Sequence, residues 1–356
     1  TEEPSEKWDF MLFEFKKLKI VWPIKILIFL SLFVFGVQVE SKTETKDWLK
    51  DKEVIKFISH MHKNHKFSLK YMESNFKNLE YQKDAFKLIN PPEKEKKKKI
   101  KSWQDYKNRF VTKKVIDNGK SFMIQHSKIL EKAFEQYGVP ANVIVGILGV
   151  ETRYGVVTGD YRVVDTLATF AFENFKRKKF FLKELEQLFL LARENKIDVK
   201  NFKGSFAGAL GIPQFMPSSW RNFAVDFDND GKINLMESPA DAIGSIANYL
   251  SIHGWKPNEL SHAPINPRKN SNPANFVSKS LKAESSVRAL KKAGIIIDSG
   301  LFPPNLNASL IDLPEKDGSV KYWLATPNFF AVTKYNRSFM YAAAVFTLAE
   351  SISPKI

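Results

Sequence analysis

Apolar residues recur with helical spacing along most of the chain between residue 46 and residue 254. A 3.6-residue period of this kind is typical of amphipathic helices that pack on a common core. Gly138 closes one such segment, and Pro140 and Pro239 stand where helices begin, a position that proline favours. The pattern predicts helices over residues 46–62, 68–78, 83–88, 102–110, 120–137, 140–153, 163–175, 179–195, 239–253 and 338–352.

The residues from 255 to about 330 follow a different pattern, because Pro, Asn and Ser become frequent there. Short β-like runs occur at 285–289, 309–313 and 322–324. We therefore predict a mainly α protein that carries a small, partly β inserted subdomain. The predicted division is 1–40, a targeting segment; 41–100, a helical region; 101–254, a helical core; 255–330, the subdomain; and 331–356, a return to the helical part.

The first forty residues have the pattern of a targeting segment. Lys16, Lys17, Lys19 and Lys25 precede an apolar run over residues 26–37, and polar residues follow from Glu40. A largely apolar run of twelve residues suits the h-region of a signal peptide better than a membrane span, which needs about 20. An uncleaved membrane anchor and a buried core helix remain as alternatives.

Composition narrows the classes of partner. The 356 residues carry a formal charge of +16 and are 44% hydrophobic, which indicates a globular protein with an acidic partner. No zinc-finger spacing, RNP-type motif or phosphate loop accompanies the charge, which argues against nucleic acid. The lysine-rich run over residues 93–101 is interpreted as a solvated loop or as a contact for an anionic polymer. The chain has no Cys, which excludes disulfides, thiolate chemistry and lipid attachment through an N-terminal Cys.

Residues 226–237 fit the twelve positions of an EF-hand calcium loop. Calcium requires six to eight oxygen ligands around a sharp turn, and the glycine at position 6, Gly231, allows that turn. Because the loop is single, we expect a structural clamp and not a calcium switch. An acidic surface turn is the alternative. The predicted ligands are Asp226, Asp228, Asp230, Lys232 through its carbonyl, Asn234 and Glu237.

Glu151 is the candidate catalytic carboxylate. On the predicted helix 140–153 it continues the apolar stripe of Ile144, Ile147 and Leu148, so its side chain is expected to point into the core. Burial and the helix C-terminus would both raise its pKa, as a general acid near neutral pH requires. The alternative is a glutamate that pairs with Arg153 or a nearby lysine.

Four segments together resemble the lytic murein transglycosylase B family: ETRYG (151–155), SFAGALGIPQFMPSS (205–219), the single EF-hand loop and TKYNRSFMYA (333–342). The resemblance runs from about residue 100 to the C-terminus. It implies a lysozyme-like helical core over residues 101–254 that contains the calcium loop. It also implies non-hydrolytic cleavage of the β-1,4 bond between N-acetylmuramic acid and N-acetylglucosamine, with 1,6-anhydromuramoyl products and Glu151 as the single acid and base.

The resemblance carries substrate-binding roles onto further residues. Ser205 and Gln214 would flank the glutamate, although loop capping also explains Ser205. Phe215 and Met216 would form apolar walls, with core packing as the alternative. In YNRSFMY, Asn336 also fits the cap of a helix start, and Thr152 stands where the family pattern has Ser. The carried-over substrate-binding residues are Ser205, Gln214, Phe215, Met216, Tyr335, Asn336, Tyr341 and Tyr106.

The resemblance also predicts a periplasmic monomer that acts on peptidoglycan strands, with structural Ca²⁺ and no nucleic-acid partner. Without a lipidation Cys, the protein is expected to be soluble or anchored to the inner membrane by an uncleaved N-terminal segment. Two alternatives for the function remain: a muramidase on the same scaffold, and a non-catalytic, calcium-stabilised murein-binding scaffold.

Overall fold

The computed structural model describes residues 46–91, 102–173, 175–268, 271–298 and 300–353. The predicted targeting segment and the lysine-rich run after Pro92 lie outside these ranges. Within them, no helix combines the length and the apolar character that crossing a membrane would require.

Helices dominate the described residues, and the prediction of a mainly α protein is confirmed. All of the α-helices except the short helix Val287–Lys292 contribute to one extended apolar core that reaches from Trp48 to Ile352. The α-helices are α1 (Lys52–His65), α2 (Leu69–Lys77), α3 (Lys83–Ile89), α4 (Trp103–Lys107), α5 (Lys113–Gln125), α6 (Ser127–Tyr137), α7 (Ala141–Thr152), α8 (Val163–Phe172), α9 (Lys178–Glu194), α10 (Pro217–Phe223), α11 (Pro239–Ile252), α12 (Val287–Lys292), α13 (Pro327–Tyr335) and α14 (Phe339–Ile352). Short 3₁₀ turns cover Trp48–Lys50, Val199–Asn201 and Pro273–Phe276.

The strands form two small antiparallel sheets. One sheet has two strands, and the other has four, which are in spatial order the third, sixth, fifth and fourth along the chain. The longest described strand, Asn307–Pro314, has eight residues, most of them buried. Its pairing with Val320–Ala325 covers a second, smaller apolar cluster around Leu310 and Leu324. The strands are β1 (Tyr161–Arg162), β2 (Lys203–Gly204), β3 (His262–Ile265), β4 (Ser285–Ser286), β5 (Asn307–Pro314) and β6 (Val320–Ala325).

Several predicted boundaries are wrong for identifiable reasons. The single helix predicted over residues 120–137 is two helices that meet at His126, and α5 begins seven residues earlier, at Lys113. The β-run predicted over residues 285–289 ends after two residues, because the Ser286 side chain accepts from Ala289 N and starts α12. Asn336 does not start α14 but follows the last residue of α13; Ser338 Oγ caps α14 by accepting from Tyr341 N. The segments α10, α13 and β3 were not predicted.

Two glycines let α7 pack closely along α14. A Cβ at Gly146 would lie 2.8 Å from the backbone oxygen of Val345, and one at Gly149 would lie 2.6 Å from Leu348 Cδ2. Real side-chain contacts are almost never so short, so any larger residue would separate the helices. This close approach brings the N-terminal turn of α14 to the C-terminal turn of α7.

Gly146→Ala is expected to lower the free energy of unfolding by about 1–3 kcal/mol, because overpacking forces the helices apart. The contact is with backbone, so truncating the Val345 side chain would not relieve it. Denaturant unfolding measures the change. Ser121→Ala, on the exposed face of α5, serves as the control and should stay within about 0.5 kcal/mol of wild type. Equal unfolding midpoints for Gly146→Ala and wild type would contradict this account of the packing.

Candidate active site

Glu151 lies in the last turn of α7, with 7% of its surface exposed. The helix ends because Arg153 and Tyr154 adopt left-handed backbone, with φ of 51° and 66°, before Gly155 at φ 87°. The amide nitrogens of Arg153 and Tyr154 both donate to the Leu148 carbonyl and close the final turn. The carboxyl group is therefore fixed on a well-ordered turn inside the protein.

Burial raises the pKa of Glu151 from 4.5 to about 8, because the apolar surroundings disfavour the carboxylate. A hydrogen bond from the Tyr341 hydroxyl to Glu151 Oε1, 2.6 Å long, acts in the opposite direction and lowers the pKa. Among the described residues, no second carboxylate contributes to the pKa of Glu151. At neutral pH the group is therefore mainly the neutral acid, and it has a donor in place to stabilise the anion.

The raised pKa predicts a pH-dependent stability cost. Between about pH 4.5 and pH 8 the folded protein keeps the Glu151 proton and the unfolded chain releases it, so wild-type stability falls by about 1.4 kcal/mol per pH unit from this group. Glu151→Gln cannot ionise and should be more stable than wild type by several kcal/mol near pH 8, but nearly equal near pH 4.5. Parallel urea titrations at the two pH values test this. A stability difference that does not change with pH would contradict it.

Three predicted tyrosines surround the carboxyl group. The rings of Tyr335 and Tyr341 are stacked, with centroids 6.5 Å apart, and the Tyr335 hydroxyl donates to the Pro213 carbonyl. Tyr106 reaches the site from α4. Burial first, and the nearby Glu151 second, raise the pKa of all three phenols, so they remain neutral hydrogen-bond donors. The structure thus brings together residues that lie more than 200 positions apart in the chain.

A loop of tight turns forms the neighbouring wall. Ser205 Oγ accepts from the amides of Ala207 and Ala209, at 3.3 and 3.0 Å, which is the local capping geometry. Gln214 has a positive φ of 53°, and its Nε2 donates to the carbonyls of Thr158 and Gly211. These bonds occupy the amide nitrogen of Gln214.

Thr152 ties this loop to the end of α7. Its hydroxyl donates to the Ile212 carbonyl at 2.8 Å and accepts from Gly155 N at 2.9 Å. Thr152 is fully buried, so both bonds are shielded from water. Thr152 retains the hydroxyl of the Ser in the family pattern, and this hydroxyl fixes the loop to the end of α7, directly after Glu151.

Phe215 and Met216 differ in exposure. The Phe215 ring is buried and packs on Tyr249 and Tyr335, with centroids 5.6 Å away in both cases. Met216 is half-buried and precedes α10. Asn336 is also half-buried, between α13 and α14. Phe215 therefore meets the site through Tyr335.

In the predicted calcium loop, the first three carboxylates lie close together. Oxygen atoms of Asp226, Asp228 and Asp230 lie within 4.8 Å of one another. The turn is built by Asn229 and Gly231, with φ of 61° and 86°, and Gly231 N donates to Asp226 Oδ2 at 2.8 Å. Hard oxygens on a sharp turn are what Ca²⁺ needs, so these residues fit the ion.

The remaining loop positions are arranged less closely. Asn234 Oδ1 accepts from Glu237 N at 3.1 Å, and the Glu237 side chain lies in the exposed part of the loop, outside the aspartate cluster. The Lys232 amide donates to Asp230 Oδ1 at 2.8 Å, which holds the Lys232 peptide beside the cluster. The six predicted ligand residues therefore follow the EF-hand order in sequence, and the carboxylates of the first three already lie close together.

Sequence reasoning missed the residue that holds this loop to the core. Asp241 is buried, and its two carboxylate oxygens accept from Phe227 N at 2.8 Å and Asn234 N at 2.7 Å. It thus clamps the loop at positions 2 and 9. An acidic residue at N3 after Ser238 and Pro239 is also an ordinary helix start, so the sequence offers no separate signal for this role.

Comparisons with known proteins agree with this architecture. Residues 50–350 match the family model described as a transglycosylase SLT domain. The chain is 42% identical over 252 residues to the membrane-bound lytic murein transglycosylase B of Escherichia coli, which covers 71% of this chain and 68% of the relative.

Two crystal structures are similar to this chain over most of its length. The soluble lytic transglycosylase SltB1 of Pseudomonas aeruginosa is 37% identical with a TM-score of 0.78, covering 84% of this chain and 98% of that one. The Escherichia coli lytic transglycosylase Slt35 in complex with calcium is 36% identical with a TM-score of 0.77, covering 88% and 97%. The chain therefore belongs to the lytic murein transglycosylase B family, and it is a peptidoglycan-cleaving enzyme with a lysozyme-like helical core.

Proposed function

We propose that Glu151 is the single acid and base with which this enzyme cleaves the β-1,4 bond between N-acetylmuramic acid and N-acetylglucosamine, forming 1,6-anhydromuramoyl ends. The observation that carries the proposal is one buried carboxyl group with a pKa of about 8, bonded to Tyr341 and with no acidic partner in the part of the chain that the structure describes. Hydrolytic glycosidases normally need two carboxylates. A substrate hydroxyl as nucleophile removes the need for the second.

The reaction needs Glu151 in both protonation states. In the first step the neutral acid donates its proton to the glycosidic oxygen as the bond to C1 breaks. In the second step the Glu151 carboxylate accepts the proton of the muramoyl C6 hydroxyl while O6 bonds to C1. The acid is thus regenerated, and no water is consumed. The Tyr341 hydroxyl, which donates to Oε1, stabilises the intermediate carboxylate.

Sugar contacts are proposed for the residues around Glu151. Ser205 uses its oxygen to accept two amides, so its hydroxyl hydrogen can be donated to a sugar or to Glu151. Gln214 uses its amide nitrogen within the loop, and its carbonyl oxygen would accept from a sugar hydroxyl. Phe215 would support Tyr335 from the core. The other residues proposed to contact the sugars are Met216, Asn336, Tyr335 and Tyr106.

Mass spectrometry of soluble products from purified sacculi tests the proposed reaction. Anhydromuropeptides are expected. Muropeptides with reducing ends would mean that water takes the place of the C6 hydroxyl, as in a muramidase. Bound sacculi without released products would favour a non-catalytic murein-binding scaffold.

Tyr341→Phe is expected to lower the rate by about tenfold and to move the alkaline limb of the pH profile upward. The lost hydrogen bond lowers the Glu151 pKa in wild type, so its removal raises that pKa further and keeps the acid protonated to higher pH. The pH dependence of kcat/KM measures the shift. Tyr322→Phe in β6 is the control and should leave the profile unchanged. An unshifted alkaline limb in Tyr341→Phe would contradict the assignment of that limb to Glu151.

Calcium in the loop 226–237 is proposed to be structural, with ligands from Asp226, Asp228, Asp230, the Lys232 carbonyl, Asn234 and Glu237. The convergence of three aspartates and the calcium complex of the Escherichia coli relative support binding. The ion would lock the segment that leads into α11. Because the substrate is peptidoglycan, we further propose a periplasmic monomer, soluble or anchored through the N-terminal segment.

A further inference from the structure

A second group of metal-type ligands lies on the surface between α1 and α9, apart from the active site and from the calcium loop. Nε2 of His60 lies 3.3 Å from one oxygen of Glu186, and Nε2 of His65 lies 2.8 Å from the other. All three ligand atoms fall within 4.8 Å of one another. We propose that His60, His65 and Glu186 form a binding site for a divalent transition-metal ion, Zn²⁺ in particular.

The donor set selects the class of metal. Two imidazole nitrogens and one carboxylate oxygen suit zinc and its neighbours in the first transition series, whereas calcium prefers oxygen ligands alone. The ring centroids of the two histidines are 5.5 Å apart and their planes are 70° apart, so both Nε2 atoms face the carboxylate without stacking. Three protein ligands leave the fourth tetrahedral position for water.

A neighbouring side chain is placed to orient one ligand. Nδ2 of Asn64 lies 2.7 Å from Nδ1 of His60. Rotation of this amide by 180° places Oδ1 against the ring, where it accepts the Nδ1 proton and leaves the Nε2 lone pair free for a metal. Support of this kind is typical of zinc-bound histidines. His62, on the same helix, directs Nδ1 to the Phe67 carbonyl and takes no part in the group.

The site is open to solvent, so an ion can enter the folded protein. The His60 side chain is 43% exposed, and those of His65 and Glu186 are 24% and 25% exposed. Three of the six histidines of the chain fall within residues 60–65. A bound ion would join the end of α1 to the middle of α9 and so fasten the N-terminal helices to the core.

The plain alternative is a pair of histidine–carboxylate hydrogen bonds that binds no metal. The nearby Arg193 donates to the His65 carbonyl and adds positive charge, and Glu186 is the single carboxylate of the group. Both descriptions account for the close approach of the side chains. Only the metal-site description predicts that the protein binds zinc and that the zinc affinity falls when any one of the three ligands is removed.

Zinc titration of the untagged full chain separates the metal site from the plain pair of hydrogen bonds. The titration is run in competition with a chromophoric chelator, and excess Ca²⁺ saturates the calcium loop. Wild type should bind one equivalent of Zn²⁺. His65→Ala and Glu186→Gln should each lower the association constant by about 100-fold, and Asn64→Ala by about tenfold. His126→Ala, which removes a half-buried histidine elsewhere, is the matched control and should not change it.

A Co²⁺ spectrum gives a second readout. Intense visible d–d bands of a four-coordinate site are expected for wild type and should disappear in both ligand variants. Circular dichroism confirms that each variant is folded. Absence of stoichiometric zinc binding by wild type would overturn the proposal. So would equal affinity in wild type, His65→Ala and Glu186→Gln, because zinc would then be held elsewhere.

Discussion

Glu151→Gln is expected to reduce the release of anhydromuropeptides by about a thousandfold or more, because it removes both the acid of the first step and the base of the second. The amide has the shape of the carboxylic acid and still accepts from the Tyr341 hydroxyl. The variant should therefore fold and bind sacculi. Quantitative chromatography of released products, at equal enzyme concentration, measures the loss.

The control for this variant is Glu194→Gln, which neutralises a surface carboxylate paired with Arg221 and should keep wild-type activity. Combined with the higher stability expected of Glu151→Gln near pH 8, the result would show that the buried acid is kept for catalysis at a cost in stability. Residual activity above about a tenth of wild type would show that another group provides the proton.

Removal of calcium is expected to give the second large effect. At free calcium of about 100 times Kd, binding stabilises the folded state by about 2.7 kcal/mol. Unfolding entropy scales with chain length, at roughly 2 cal/mol/K per residue, so for 356 residues the shift in Tm is about 3–4 °C, at about 1.3 °C per kcal/mol. Calorimetry in metal-free buffer, with and without Ca²⁺, measures the change. Activity should fall on chelation chiefly because the protein unfolds at assay temperature.

Two loop variants make the calcium experiment specific. Asp226→Ala removes the ligand at position 1 and should abolish the response of Tm to calcium. Lys232→Ala keeps the backbone carbonyl at position 7 and should retain most of it. A calcium-independent Tm in wild type would mean that the loop is an acidic surface turn. An equal response in Asp226→Ala would place the stabilising ion elsewhere.

The position of Glu151 was predictable because it depends on local periodicity. Its spacing from Ile144, Ile147 and Leu148 indicated burial, although α7 is in fact buried on every side from residue 143 to residue 152, and burial explains the raised pKa. The calcium loop was likewise predictable, since its ligands follow one another in sequence and its turn needs Gly231. In both cases a short segment of sequence determines the local backbone geometry.

The partners of these segments depend on tertiary contacts that periodicity does not report. The hydrogen bond from Tyr341 to Glu151 spans 190 residues and was not predicted; family resemblance indicated only that Tyr341 belongs to the site. Gly119 lies inside α5, although the predicted helix began after it. The position needs glycine, because a Cβ there would lie 2.5 Å from both Ile352 and Tyr154. Strand β3 contains Pro264 and pairs with residues about 60 positions later, so local pattern did not identify it.

The dependence of Glu151 on Tyr341 has a consequence for biosynthesis. A nascent chain that has left the ribosome only as far as α13 contains Glu151, the calcium loop and the turns around Gln214, but it lacks the helix that packs along α7. Without α14, the carboxyl group has neither its hydrogen-bond donor nor the apolar cover that raises its pKa. Translation products that stop before α14 are therefore expected to lack lytic activity, although they contain Glu151.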